Sequence, residues 1–411
     1  MRTLTSAESL KSDALNLFLA ESLAGVGKPT EHVLVIIPDD TRAIPMPEIY
    51  AGICRELTPR VDRLTFLIAL GTHPKMTDAE LSQHLGSDWQ RPDVSVVQHD
   101  WQNADMLVNL GTIPASELEE LSGGLLSEAL PVVINRLAAE VDRILIVNPV
   151  IPHEVVGFSG GHKYLFPGIS GEKILDASHW LGALITNLEV NGHKSTPVRA
   201  LIERAAELLP TPRHGLALVM RGHETIGAFF GGVREAWSAA ADLSAQTNIV
   251  WKSRSFHTVI SIAPSMYRDL WTAGKCMYKV EPVIADGGQV IIYAPHLHEI
   301  APTHERWIRH VGYHTRDYFL IEWDRFANVP RAILAHSTHV KGTGSYIDGF
   351  EKPRIDVVLA TDIPEARCQE INLGYLDHTT IDIDAYRCLE DEGILVIPNA
   401  GEVLFRLSDS D

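Results

Sequence analysis

The residues best suited to chemistry are one lysine in a glycine loop and several charged groups that follow short apolar runs. The segment HEVVGFSGGHKYLFPGISG, residues 153–171, sets Lys163 just after Gly160 and Gly161. A phosphate-binding P-loop needs G-x-x-x-x-G-K followed by Ser or Thr, so that the hydroxyl reaches Mg²⁺. Here His162 stands at the second glycine position and Tyr164 follows the lysine. An ordinary nucleoside triphosphatase or nucleotide-dependent transferase is therefore disfavoured. The other candidates are Asp39 and Arg42 in PDDTRAIP, His73 in ALGTHPKMTDAEL, and His153 at the head of the glycine segment. Imidazole titrates near working pH and suits proton transfer. An arginine fork suits a planar carboxylate. Together these groups suggest binding an anion and moving a proton beside it.

Something must bring them together. HVLVII, RLTFLIAL and DRILIV are β-branched or apolar runs, and each ends in the chemistry-bearing residues just named. Amphipathic stretches such as PEIYAGICRELTPRV lie between them. Strand, helix, strand in this order predicts a parallel sheet in an α/β domain. Ligands of open α/β sheets bind at the carboxyl ends of the strands. A single loop histidine is most often a solvated side chain. Three strand ends that all deliver titratable groups weigh against that for the set. GLALVMRGHETIGAFFGG reads as a hairpin closing the first unit, and a second series of buried strands follows: TVISIAPS, QVIIYAPH, DVVLATDIP and ILVIPNAG. The expected organisation is an N-terminal α/β domain over 1–248, a C-terminal α/β domain over 249–395, and a segment 396–411 packing back on the first domain. The boundary falls after the polar stretch SAQTN. Both sheets are expected to be mainly parallel, with the active site in the cleft between the domains.

Bulk composition narrows the function classes. The chain has 411 residues, 45% of them hydrophobic and 21% charged, which supports two sizeable cores. Its formal net charge of -18 argues against nucleic acid, whose binding needs a basic surface. An anionic substrate must then be held by a local cationic pocket. The four cysteines, Cys54, Cys276, Cys368 and Cys388, are scattered and form no C-x-x-C pair. The first residues lack the basic start, apolar core and cleavage site of a secretory signal. No apolar run approaches the ~20 residues that span a bilayer. A cytoplasmic location without membrane association is expected.

PDDTRAIP, ALGTHPKMTDAEL, HEVVGFSGGHKYLFPGISG and ILDASHW, in this order, resemble the nickel-pincer lactate racemase family. The resemblance covers most of the first ~250 residues and recurs more weakly around SMYRDLWTAGKCMYKVEPVIADGG. It implies a racemase or epimerase of 2-hydroxy acids. The implied cofactor is nickel in a pyridinium-3-thioamide-5-thiocarboxylic acid mononucleotide, the nickel-pincer nucleotide. By position, Lys163 is the lysine joined to it through a thioamide and His179 the nickel ligand. The glycines of FSGG, with Ser159, Gly160, Gly161 and Asp39, are implied on the cofactor side. Soft sulfur donors suit nickel, and no cysteine is placed to supply them. The resemblance further implies hydride transfer from C2 to the pyridinium carbon. His73 and His153 then serve as the acid/base pair, and Arg42 and Lys275 hold the substrate carboxylate. Asp39 would orient Arg42 or bind the cofactor; His162 receives no role. Separate maturation enzymes are implied partners, because they build the cofactor.

One departure bears on substrate. The lactate enzymes carry Tyr-Gln shortly before the lysine, where this chain has Trp271 and Thr272. An indole face is a platform for polyhydroxylated ligands, and Thr leaves more room than Gln, so a sugar acid such as an aldonate is the expected substrate. Histidines in APHLHEIAPTH, GYH and HSTHVKGTGSY offer further contacts to hydroxyls, although loop or core roles suit each equally well. Two alternatives stand beside this reading. A zinc-dependent hydrolase needs closely spaced ligands on one helix, and His336 and His339 read as loop residues. A non-catalytic hydroxy-acid-binding protein would tolerate loss of an acid/base histidine, and both are present.

Overall fold

The computed structural model describes residues 1–408. The chain divides into two units. One comprises residues 1–151, 158–178 and 194–247, and the other takes in 152–157, 179–193 and the chain from Asn248.

The first unit is built on a seven-stranded sheet in the order Arg2–Thr5, Glu224–Gly231, Arg213–Arg221, Arg143–Pro149, His32–Ile37, Arg63–Ile68, Val94–Gln98. The five strands from Arg213–Arg221 onward run parallel, and the hairpin 213–231 with the N-terminal strand adds an antiparallel edge. Val33 to Ile37 are wholly buried, as a central strand covered on both faces requires. Each such side chain contributes roughly 1.5–3 kcal/mol on burial. On helix Met46–Leu57, Ile49, Ile53 and Leu57 recur one turn apart and face this core. The chain runs from His32–Ile37 to one side of the sheet and from Arg143–Pro149 to the other. The sheet's switch point, where α/β folds bind ligands, therefore lies at the ends of these two strands.

The second unit holds a five-stranded, wholly parallel sheet in the order Gly374–Tyr375, Asp356–Thr361, Ile284–Ala294, Phe256–Ile262, Ile394–Ile397. The polar stretch SAQTN is the end of helix Val233–Asn248, and Ile249 opens the next strand directly. In the segment after 396, strand Leu404–Leu407 pairs in parallel with Ile249–Lys252 of the same unit.

His336 and His339 correct the sequence reading. They lie on a helix, Arg331–Lys341, and not in a loop. Its middle is buried, and Ser337 Oγ donates to Gly312 O while accepting from His314 N. Packing thus overrides the weak helix propensity of His-Ser-Thr-His. Among the described residues no helix is long and apolar enough to cross a membrane. The four cysteines are all free, with only Cys388 exposed.

Candidate active site

In the first unit the strand ends deliver their groups to one place. Asp39 follows strand His32–Ile37 and is buried. One carboxylate oxygen accepts from the Thr41 hydroxyl at 2.7 Å and from Thr41 N at 3.3 Å. The other meets His73 Nδ1 at 2.5 Å. Asp39 is thus engaged with His73 and Thr41. Burial opposes ionisation of Asp39, but the His73 ring, its hydrogen bond, the Thr41 hydroxyl and the Arg42 guanidinium together hold its carboxyl well below the usual carboxylate range. With Nδ1 committed, the other ring nitrogen of His73 is the one free to exchange a proton with a ligand.

The loop bearing His73 is fixed at both ends. Gly71 N donates to Gly168 O at 3.0 Å, which ties it to the turn after Lys163. Downstream, Thr77 and Glu80 form a capping box that starts helix Asp78–Leu85. The TDAE part of the sequence motif therefore serves the scaffold.

Lys163 sits in the 3-10 turn Gly161–Tyr164, at the end of strand Arg143–Pro149. Gly160 and Gly161 have φ of 83° and 62°. A Cβ on Gly160 would lie 2.3 Å from Asn148 Oδ1, and one on Gly161 would lie 2.9 Å from Trp237 Cγ. Their first requirement is thus local packing and left-handed backbone. The Ser159 hydroxyl donates to Pro149 O and accepts from Ile151 N. Trp237 Nε1 donates to Ser159 O at 2.8 Å. Buried Arg199 donates to Phe158 O and to Gly160 O, and it stacks 4.1 Å over Trp237. His162 donates from Nδ1 to Glu203 at 2.8 Å, and Arg213 donates to its Nε2 at 3.2 Å. The turn is therefore held from several sides. Tyr164 is buried and lies within the fields of Arg42 and Asp39, so the turn and the Asp39–His73 pair share one electrostatic neighbourhood.

The remaining candidates belong to the second unit. His153, expected beside His73, is counted there. Its buried ring has Val155 N at 3.1 Å and a Glu154 carboxylate oxygen at 3.3 Å from Nδ1. His179 lies within helix Glu172–Ile185. Trp271 and Thr272 are on the short helix Leu270–Ala273, capped by Asp269, which accepts from Thr272 N at 2.8 Å. Lys275 opens the next turn and places its ammonium 4.9 Å from the centroid of the Tyr267 ring. The His336 ring stacks on Trp271 at 3.7 Å and 22°, and His304 lies 4.5 Å from the same indole. At least one face of Trp271 is thus covered by imidazole and is no open platform for a sugar. Burial holds His336 well below the ordinary imidazole value, and the charges of His339, His304 and His179 add to it. This imidazole group was legible only as scattered histidines, because helix pairing at 271–275 and 331–341 brings it together. His314 of the same set instead pairs with Glu351 at 2.8 Å, a structural role.

Among the described residues no three His, Cys, Asp or Glu side chains group as a metal cage, as a zinc hydrolase would need. The donor set suits a metal that arrives with most of its ligands, taking one imidazole from the helix of His179. Lys163, on a turn fixed through Asn148, Arg199 and Trp237, suits covalent attachment. Each residue, taken by itself, is compatible with the nickel-pincer nucleotide that the sequence resemblance implies.

A parallel-sheet α/β protein with a lysine-bearing turn at its switch point and a carboxylate–histidine pair beside it is the class defined here. The family described as the lactate racemase N-terminal domain matches residues 2–190. Lactate racemases from Lactiplantibacillus plantarum and Thermoanaerobacterium thermosaccharolyticum are each 25% identical, over 305 and 300 residues, or 71% and 70% of this chain. The chain spans 66% of the length of each of these relatives. A crystal structure of a protein from Thermotoga maritima is 31% identical, covers 98% of this chain and 100% of its own, and superposes with a TM-score of 0.90. The lactate racemase apoprotein from T. thermosaccharolyticum shares the fold at 20% identity, with 97% and 94% coverage and a TM-score of 0.73. Residues 2–190 thus match the lactate racemase N-terminal domain, and the chain resembles the lactate racemases beyond that segment.

The Asp39–His73 pair carries an expectation for stability. The folded carboxyl lies below its unfolded value of about 3.9, so its ionised form contributes stability above that pH and loses it as pH falls through the folded value. Asp39→Asn is expected to flatten the acid limb. Urea midpoints followed from about pH 5 to pH 2 should fall less steeply in the variant, and equal slopes would count against Asp39 as the responsible group.

Proposed function

We propose that this protein is a racemase or epimerase acting at C2 of a 2-hydroxy acid, with an aldonate as preferred substrate. The observation that carries the reading is the bond between His73 and buried Asp39, within the segment that matches the lactate racemase N-terminal domain. Lys163 and His179 would hold the nickel-pincer nucleotide. When bound, that group supplies a reversible acceptor for the C2 hydride.

The chain's own residues supply the rest. Arg42 and Lys275 hold the substrate carboxylate, Arg42 as a planar fork and Lys275 as a point charge. His73 takes or returns the hydroxyl proton on one face, with its ring fixed by Asp39. His153 does so for the other face through Nε2, with Val155 N and the Glu154 carboxylate at its Nδ1. Inversion needs one such group per face, which is why two histidines are required.

Protein co-produced with the family's cofactor-maturation enzymes provides the test. An aldonate should be epimerised at C2 with retention at every other centre, and lactate should react poorly. Substrate deuterated at C2 should keep most of its label in the product, and solvent deuterium should hardly enter. Rapid exchange of the C2 hydrogen with solvent would remove hydride transfer. A clear preference for lactate over longer acids would refute the substrate assignment.

A further inference from the structure

We infer that His336 forms a specificity subsite with Trp271 and His304, a neutral donor that reads hydroxyl groups of the substrate chain beyond C2. The inference rests on the hydroxy-acid reading above and names the part of the second unit that would select chain length and polarity.

The argument begins with Tyr313. Its side chain is fully buried, and its hydroxyl lies 3.4 Å from His336 Nε2. A buried phenol proton needs an acceptor, and the His336 nitrogen is the one within reach. Tyr313 therefore donates, Nε2 accepts, and the ring proton of neutral His336 resides on Nδ1. The ring is also fixed in orientation. Trp271 stacks on it at 3.7 Å, and its Cε1 would lie 3.4 Å from a Cβ on Gly274. Gly274 directly precedes Lys275 and is three residues beyond Trp271. His336 thus packs against the short segment that carries both the lysine assigned to the substrate carboxylate and the Trp-Thr pair that replaces Tyr-Gln.

The chemistry selects the ligand. A neutral N–H donor with a second imidazole near the same indole, His304, can pair with hydroxyls, which both donate and accept. A second carboxylate would call for a cation there, whereas a ring whose Nε2 accepts from the Tyr313 hydroxyl is neutral. An acid as short as lactate has no group beyond C2 to reach this donor. Trp271 acts by walling and orienting the imidazole, with its own ring face covered. Polyhydroxy monoacids are thus favoured over both short acids and diacids.

The test compares wild type with His336→Ala, His336→Asn and Tyr313→Phe, using nickel-loaded protein for turnover and cofactor-free protein for calorimetric binding. Gluconate and lactate are the probes, and a melting curve checks each fold. The ratio of kcat/KM for gluconate over lactate should fall roughly 10–100-fold in His336→Ala, as expected for one lost hydrogen bond that leaves a partner unpaired. His336→Asn, whose amide puts a donor near the place of Nδ1, should recover part of the ratio. Tyr313→Phe should lower it less. If both acids lose activity in proportion, so that the ratio holds within about twofold, the subsite is overturned while the racemase reading stands. If wild type turns over neither acid, the racemase reading fails, and binding decides the subsite separately. Weaker gluconate binding in His336→Ala, with the gluconate-to-lactate affinity ratio reduced, supports it. An unchanged affinity ratio overturns it.

Discussion

Lys163→Ala should abolish turnover altogether, and Lys163→Arg should do no better. The reason is covalent: a guanidinium cannot form the thioamide through which the proposed cofactor is joined. Intact-mass and peptide mapping of active holoprotein should place the added mass on Lys163, and an unmodified Lys163 in fully active protein would sink the assignment. The turn that bears it is held by Asn148, Arg199 and Trp237, which are separate from the lysine side chain. The variants are therefore expected to melt near the wild-type temperature. Metal analysis should find about one nickel per chain, with most of it lost in His179→Ala because that ring is the proposed protein ligand.

Removing either acid/base histidine should leave the nickel in place and slow the reaction. His73→Ala and His153→Ala are each expected to reduce turnover by roughly 10²–10⁴-fold, the usual range for a lost general acid or base. The two rings are held differently. His73 Nδ1 meets the buried Asp39 carboxylate at 2.5 Å, whereas His153 Nδ1 has Val155 N at 3.1 Å and the Glu154 carboxylate at 3.3 Å. Asp39→Asn should therefore harm the His73 side selectively, so the two directions of interconversion, followed from either epimer under single-turnover conditions, should respond unequally. Near-wild-type turnover in both directions by either alanine variant would refute the two-base scheme.

Much of this arrangement was legible in the sequence for a simple reason. The runs 33–37, 64–68 and 144–147 are apolar enough to be central strands, and strands of a parallel sheet send their ends to one edge. That rule brings the Asp39 and His73 segments to one edge although 34 residues separate them, but the bond between the two side chains was not foreseen. Local backbone was less legible. His336 and His339 read as loop because His, Ser and Thr favour helices weakly, and their helix is stabilised by burial that sequence does not display. The local neighbours of Ser159 and the two glycines, namely Pro149, Ile151, Asn148 and Trp237, were not legible either. The stacking of Trp271 on His336 joins positions 65 residues apart (336 − 271), which no local pattern announces.

The interleaving of the two units bears on how such a protein can be recombined. Helix Glu172–Ile185 starts in one unit and, from His179, continues in the other. A chimera joined at 247/248 would inherit a second half lacking residues 179–193 from its own lineage. Those residues supply Asn187, which donates to buried Glu281 at 2.8 Å and to Tyr278 O at 2.9 Å, and the Leu184 carbonyl that accepts from Arg316 at 2.8 Å. They also supply the carbonyl oxygens of Asn191 and Leu188 that accept from Arg406. A foreign partner must match every one of these, or a carboxylate is left buried without a donor it was built to have. Single-crossover domain shuffling at 247/248 is therefore a poor route to new substrate ranges on this scaffold.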